Sequence, residues 1–251
     1  MRGWWREIAG LVLPVACGGC GRPRTELCPP CHDELSGPEP RRVRPLPEPA
    51  GLPVVHAAAP YADAVRSVLL AHKERGALWL AEPLGRALAG AVEAAAGRCD
   101  GPGAGPLLLV PVPSSRSSVR ARGHDPTRRL ALAAAGRLRR RGRAARVIPV
   151  LRQRRAVADQ SGLGAAGRFA NLAGALEVVA GGARLIGHGR VVLVDDLMTT
   201  GASLAEAARA LSAVHPSFIP GLNGGDVDSG SVRTTAAVVA CSPSSFDIRS
   251  I

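Results

Sequence analysis

Two adjacent carboxylates, Asp195 and Asp196, stand between a run of aliphatic residues and a segment rich in hydroxyl groups. The run 191–194 predicts a strand buried on both faces, and the Ala-rich segment 203–214 predicts a helix. Ligands bind beyond the carboxyl ends of strands in open α/β sheets, and the start of a helix offers unpaired N–H groups to an anion. The intervening residues therefore indicate a phosphate-binding turn. They are Thr199, Thr200, Gly201, Ala202 and Ser203.

The two carboxylates need a different ligand, because they would repel a phosphate. A ribose diol or a hydrated Mg²⁺ ion suits them. A simpler interpretation is an acidic turn in which Ser203 caps the helix. The whole spacing nevertheless resembles the motif that binds phosphoribosyl pyrophosphate (PRPP) in type I phosphoribosyltransferases. That resemblance implies that Asp195 and Asp196 hold the ribose hydroxyls and the metal side, and that residues 199–203 hold the 5′-phosphate. Thr199 stands where purine-salvage members can carry a proton-transferring Asp, which argues against that chemistry here.

A pyrophosphate group needs positive charge of its own. The apolar run 107–112 predicts a strand, and it leads into a segment whose arginines can clamp phosphate oxygens with forked donors. The clamp residues would be Ser114, Arg116 and Arg122, with Arg120 between them. A solvated basic loop is the alternative. Lys73 ends a predicted helix, where it either stabilises the helix C-terminus or contacts the substrate.

A polar, glycine-containing segment with Gln160, followed by Arg168 and Asn171, lies between two predicted strands. Its length suits a flexible loop that closes over a reactive centre. An ordinary surface connection explains the same composition.

Four cysteines form two pairs, Cys17 with Cys20 and Cys28 with Cys31, each separated by two residues. This spacing is typical of a closed tetrahedral zinc site. So small a module would depend on the metal for its folding energy. Two disulfides, or a redox device, are the alternatives. Cys99 and Cys241 have no partner spacing and are expected to be ordinary thiols.

A four-cysteine module followed by a PRPP-type motif resembles the ComF family, the competence-associated phosphoribosyltransferase-like proteins. Besides the residues above, the likeness includes Tyr61, His72, Gly76, Pro111, Val112, Pro113, Gly123, Gly162 and Leu163. The sequence departs from the family at 124–126, where Phe-Asn-Gln is frequent, and in a Gly- and Ser-rich insertion at 216–231.

The resemblance implies Mg²⁺-dependent phosphoribosyl transfer from PRPP with release of pyrophosphate, and a link to DNA uptake. Lys73, Arg122, Asp195 and Asp196 would be the catalytic residues. The alternative is a non-catalytic accessory protein that binds a nucleotide, single-stranded DNA or a DNA-uptake helicase. Whether the chain is an enzyme stays open at this stage.

These residues require an α/β fold of the type I phosphoribosyltransferase kind, with a mostly parallel sheet flanked by helices. The predicted helices are 62–73, 79–96, 126–141 and 203–214, and the predicted strands are 107–112, 146–151, 191–194 and 234–240. We expect an N-terminal helix and zinc knuckle over 1–36, a Pro- and Arg-rich linker over 37–59, and the main domain over 60–251.

The net charge of +12 comes almost entirely from arginine, since Lys73 is the only lysine. It indicates either a phosphate-binding surface or a bias in composition. Aromatic residues make up only 3% of the chain, which weakens a surface built for stacking bases. No apolar run reaches the length of a membrane span. Glu7 and Pro14 argue against an export signal at the N-terminus, so we expect a cytoplasmic protein.

Overall fold

The computed structural model describes residues 16–37, 39–97, 105–155, 165–187, 189–214 and 234–246. The predicted N-terminal helix and the 216–231 insertion lie outside these ranges. The strands are β1 (Arg41–Val43), β2 (Val54–Pro60), β3 (Leu107–Pro111), β4 (Ala145–Val147), β5 (Leu151–Gln153), β6 (Leu176–Val178), β7 (Arg190–Met198) and β8 (Thr235–Cys241). The helices are α1 (Pro29–Ser36), α2 (Asp63–Glu74), α3 (Ala81–Ala96), α4 (Arg116–Arg122), α5 (Pro126–Arg140), α6 (Ala165–Leu172), α7 (Gly182–Ile186), α8 (Ala202–Ser212) and α9 (Pro243–Phe246). A 3₁₀ turn spans Leu78–Leu80.

Six of the strands form one sheet in the order β1-β2-β8-β7-β3-β4. All neighbours in it are parallel except β1 and β2. Strands β5 and β6 form a separate antiparallel pair. The α/β class with a mostly parallel sheet is thus confirmed. In the described ranges, no helix combines the length and the apolar character that crossing a membrane requires.

Helices cover both faces of the sheet, and the alternation of side chains along β3 shows how. Leu107 and Leu109 point into one core, which they share with α2, α3 and α5. Leu108 and Val110 point into a second core, under α8. Burying one such side chain is worth about 1.5–3 kcal/mol. The continuous apolar run in the sequence therefore reflects burial on both sides.

Small side chains let α3 and α5 pack very closely. A Cβ atom added at Gly85 would overlap the Ala133 methyl group and lie 3.0 Å from its carbonyl carbon. Alanines fill much of this interface, which is how a chain with few aromatic residues closes its core.

The linker predicted over 37–59 is wrong in part, because it contains β1 and β2. Strand β2 lies inside the sheet, parallel to β8, with Val55 opposite Ala236. Its short apolar run follows a segment rich in proline and arginine, and that composition concealed the strand. Likewise, the strand predicted over 146–151 is two short strands, β4 and β5. Pro149 lies between them and has no N–H to donate to a ladder.

The other predicted helices and strands are confirmed, with ends displaced by a few residues. Helix α2 begins at Asp63, α3 begins at Ala81, and α5 begins at Pro126. Pro83 lies in the first turn of α3, where its missing N–H leaves no helical bond unmade.

Candidate functional site

The candidate site lies at the carboxyl ends of the central strands. Strands β3 and β7 are in register, with Pro111 opposite Val194, and the Val112 N–H donates a hydrogen bond to the Val194 carbonyl at 2.9 Å. Beyond this point β7 continues to Met198, because it still pairs with β8. Asp195 and Asp196 are therefore strand residues, and not loop residues as the strand predicted over 191–194 implied.

Asp196 forms a buried ion pair with Lys73. The Lys73 Nζ atom lies 2.7 Å from an Asp196 carboxylate oxygen, and the Asp196 side chain is only 7% exposed. Burial opposes ionisation of Asp196, but the charge and hydrogen bond of Lys73 hold its pKa below the usual range. The negative charge of Asp196 in turn raises the pKa of Lys73. Helix α2 thus brings a cation to the end of β7.

Asp195 differs from its neighbour. Burial and the negative charge of Asp196 raise its pKa well above the usual range. One Asp195 oxygen accepts hydrogen bonds from the Asp196 N–H at 2.8 Å and from the Thr127 hydroxyl at 3.4 Å. Two carboxylates this close and this buried do not both ionise easily. The pair holds a proton more readily than isolated carboxyls do.

Arg122 reaches the site but is already engaged. Its guanidinium donates two hydrogen bonds to the Glu74 carboxylate, at 2.9 and 2.8 Å. Glu74 follows Lys73 directly on α2. The end of this helix therefore carries one cation of the site, Lys73, and binds the other, Arg122, through Glu74. Glu74 was not predicted to belong to the site. The one sequence feature that could have indicated it is its position next to Lys73.

Two histidines adjoin these ion pairs, and neither was predicted to belong to the site. The rings of His72 and His124 meet edge to face, with centroids 5.9 Å apart. Burial, reinforced by the neighbouring His124, lowers the pKa of His72 to about 4. The Nε2 atoms of both rings are buried without a hydrogen-bond partner in the described structure. The Nδ1 atom of His124 lies 3.1 Å from the Arg122 carbonyl oxygen, which ties this ring to the end of α4.

The turn predicted to bind phosphate lies between β7 and α8. Gly201 is the N-cap of α8, with φ of +76°, and no side chain caps the helix. Ser203 is therefore not the cap that the simpler interpretation required. Gly201 is needed for this backbone conformation. A Cβ atom there would also lie 3.0 Å from the Leu52 side chain. Of the neighbouring residues, Thr199 is exposed, Thr200 and Ser203 are half-buried, and Ala202 is buried.

The basic loop predicted after β3 is mostly helix α4. The Ser115 hydroxyl caps it by accepting a hydrogen bond from the Ser118 N–H at 3.0 Å. This cap was not predicted from the sequence, and it explains why the segment is a helix and not a loop. Ser114 donates a hydrogen bond to Asp125 at 3.4 Å, and Arg116 is exposed. Arg122 thus reaches Glu74 from the last turn of a short helix.

The predicted flexible loop is described only at its end. Gln160 lies outside the described residues, as does the side chain of Arg168. Asn171 lies on α6, and its carbonyl accepts a hydrogen bond from Arg155 at 2.9 Å. Helix α6 packs against α8.

The four N-terminal cysteines come together as predicted. Their sulfur atoms all lie within 4.8 Å of one another, and none forms a disulfide. Although burial opposes ionisation, backbone N–H groups lower the pKa of Cys17 to about 6. Burial and the neighbouring thiols raise that of Cys31. So many thiols in one place ionise together only beside a cation. The cluster can hold a structural metal ion, and four sulfur ligands suit zinc.

This cysteine module packs on the main domain. Leu35 is fully buried in the core beside α3. Glu34 accepts a hydrogen bond from the Ala64 N–H, at 3.3 Å. A Cβ atom at Gly19 would lie within 3.1 Å of both Cys31 and Ala64. The cysteine cluster is therefore attached to the start of α2, the helix that carries Lys73 at its other end.

Known protein-family models gave no match to this chain. A comparison with curated proteins gave no significant match either.

Proposed function

We propose that this chain binds PRPP together with Mg²⁺ and transfers its phosphoribosyl group to an acceptor, with release of pyrophosphate. We further propose that it has the type I phosphoribosyltransferase fold and belongs with the ComF-like proteins. The contact between Lys73 and Asp196 carries the proposal. It brings the acidic pair together with the half-buried Lys73 ammonium at the carboxyl ends of the central strands, as a substrate with a sugar and several phosphates requires.

The start of α8 would hold the 5′-phosphate. Its first N–H groups have no side-chain cap, and they lie at the positive end of the helix dipole. The Thr200 and Ser203 hydroxyls add donors beside them. Carboxylates are absent from residues 199–203, so nothing in the turn itself repels an anion.

Asp195 and Asp196 would hold the ribose diol and the metal side. Carboxylate oxygens are the ligands that Mg²⁺ prefers, so the donor set fits this ion. Bound Mg²⁺ would neutralise part of the charge on the pyrophosphate. Asp196 is held ionised by Lys73, and Asp195 retains a proton more readily. Loss of that proton on binding would give the second carboxylate.

The pyrophosphate would lie on the side of Lys73 and α4. Arg122 is held by Glu74 in the free protein, so a bound pyrophosphate would compete with Glu74 for its guanidinium. In the reaction, the bond between the ribose C1 and the pyrophosphate oxygen breaks, and the acceptor nucleophile forms the new bond at C1. Positioning and stabilisation of the leaving charge would provide the rate acceleration.

The decisive experiment measures PRPP binding and pyrophosphate release together. We expect PRPP with Mg²⁺ to raise the melting temperature, and the double variant Asp195→Asn/Asp196→Asn to lose that shift. Glu177→Gln is a matched control, because Glu177 pairs with Arg152 on the separate strand pair β5–β6. Pyrophosphate release that survives the double substitution would refute the proposed transfer. A PRPP shift without release in any acceptor mixture would leave a binding protein.

A second candidate function, binding of single-stranded DNA as an accessory of DNA uptake, has one supporting observation. Helix α5 exposes arginines along its length, among them Arg128, Arg129 and Arg140. Phosphate contacts of this kind weaken steeply with salt. Affinity for oligonucleotides that is absent, or insensitive to salt, would exclude this function. A helicase partner would follow only if DNA binding is found.

A further inference from the structure

A groove of about 820 Å³ lies between the first turns of α3 and α5. Its lining does not include the acidic pair, but it does include His124 and Asp125 at the junction of α4 and α5. Its volume falls within the range of small-molecule sites.

One wall is apolar and aromatic. Trp79 is 50% exposed, and Leu132 is 53% exposed on the facing helix. Trp79 lies in the 3₁₀ turn between Ala77 and Leu80, which are both buried. These anchors fix the backbone under the indole ring, so the ring is presented to the groove by a rigid turn. An exposed, fixed tryptophan opposite a leucine suits a planar ring.

The other wall carries two arginines. Arg128 and Arg129 are exposed, and neither guanidinium has an ion-pair partner within the described parts of the chain. The groove is also lined by two acids, Glu82 and Asp125, and each has a partner. Glu82 pairs with Arg86 at 3.2 Å, and Asp125 accepts hydrogen bonds from the Arg128 N–H and from Ser114. Because Arg86 balances Glu82, the charges that remain are two guanidinium groups and the Asp125 carboxylate, which leaves one positive charge in excess to attract an anion.

We propose that this groove, called here the Trp79 groove, is a binding site for a nucleoside monophosphate. The base would stack on Trp79, and the phosphate would lie against Arg128 and Arg129 as a charge-assisted pair. The site is distinct from the acidic pair, so this proposal does not depend on PRPP binding.

Trp79 itself provides the measurement. The only other tryptophans are Trp4 and Trp5, so the variant Trp4→Phe/Trp5→Phe leaves Trp79 as the single tryptophan. We expect AMP to quench its emission and to bind at least tenfold tighter than adenosine or ribose 5-phosphate. Calorimetry on the unsubstituted chain checks that the two replacements are harmless.

Paired variants test the contacts. Arg128→Gln/Arg129→Gln should weaken AMP at least tenfold and leave adenosine unchanged, whereas Arg139→Gln/Arg140→Gln, on the same helix, should leave AMP binding as it is. Asp195→Asn/Asp196→Asn should also leave it unchanged. Equal binding of AMP and ribose 5-phosphate, equal effects of the two arginine pairs, or loss of AMP binding in the aspartate variant would overturn the proposal. The proposal would also be overturned if AMP caused neither quenching of Trp79 emission nor a heat of binding in calorimetry.

Discussion

The Lys73 ammonium lies 2.7 Å from the Asp196 carboxylate, although 123 positions separate the two residues in the chain. The pair joins the end of α2 to the end of β7, and it neutralises one charge of a buried acidic pair. Since Lys73 is the only lysine, replacing it tests one defined contact.

Replacing Lys73 by Met should destabilise the protein by about 3 kcal/mol, near the lower end for a broken buried pair. The lower end applies because the Lys73 side chain is one-third exposed. Urea unfolding at pH 7 measures the change. Arg86→Met removes the exposed pair with Glu82 and should cost less than about 1 kcal/mol. Equal losses in the two variants would show that the Lys73 contact is no stronger than a surface pair.

His72 should make the protein sensitive to mild acid. Its folded pKa is lowered to about 4, chiefly by burial, whereas an unfolded histidine titrates near 6.5. Between these values the unfolded chain binds a proton that the folded chain refuses. Stability contributed by neutral His72 is complete above about pH 6.5 and is lost as the pH falls towards 4.

The measurement is the free energy of unfolding of wild type and His72→Phe between pH 7.5 and 4.5. The variant should lose less stability than wild type over this range. His32→Phe is the matched control, because His32 is much less buried, and it should follow wild type. A parallel fall in His72→Phe and wild type would contradict the prediction.

The cysteine cluster should contain one zinc ion per chain, because four thiols within 4.8 Å form a complete ligand set. Elemental analysis measures the metal. Cys28→Ser should lose the ion and melt at lower temperature, and a strong chelator should lower the melting temperature of wild type. Cys99→Ser, outside the cluster, should keep the metal. A full zinc content in Cys28→Ser would show that the ion binds elsewhere.

Gly201→Ala should weaken PRPP binding as well as stability. Alanine at a positive φ costs about 1–2 kcal/mol. At the start of α8, the added methyl group would also contact the Leu52 side chain. Gly51 provides the control, since it has the same φ of +76° with open space around it. Gly51→Ala should lose stability alone. The measurements are urea unfolding and the shift in melting temperature caused by PRPP. An unchanged PRPP shift in Gly201→Ala would show that this turn does not bind the phosphate.

Much of the fold followed from local pattern. The continuous apolar runs predicted β3, β7 and β8 because strands buried on both faces carry no polar alternation. Strand β2 escaped prediction because His56 interrupts its run and a proline-rich segment precedes it. Helix α4 escaped because charged and hydroxyl residues give it no apolar face, and Ser115 initiates it by capping.

For the site, the sequence by itself determined the chemical groups: an acidic pair at the end of a strand, a glycine before a helix, four cysteines at metal-ligand spacing, and one lysine. Only the tertiary structure decided which of them meet. It paired Lys73 with Asp196, gave Arg122 to Glu74 and left Arg128 and Arg129 facing Trp79. Such contacts join residues far apart in the chain, and they depend on how strands order within the sheet and where helices end. No local pattern encodes those distances, because they arise from packing of the whole chain.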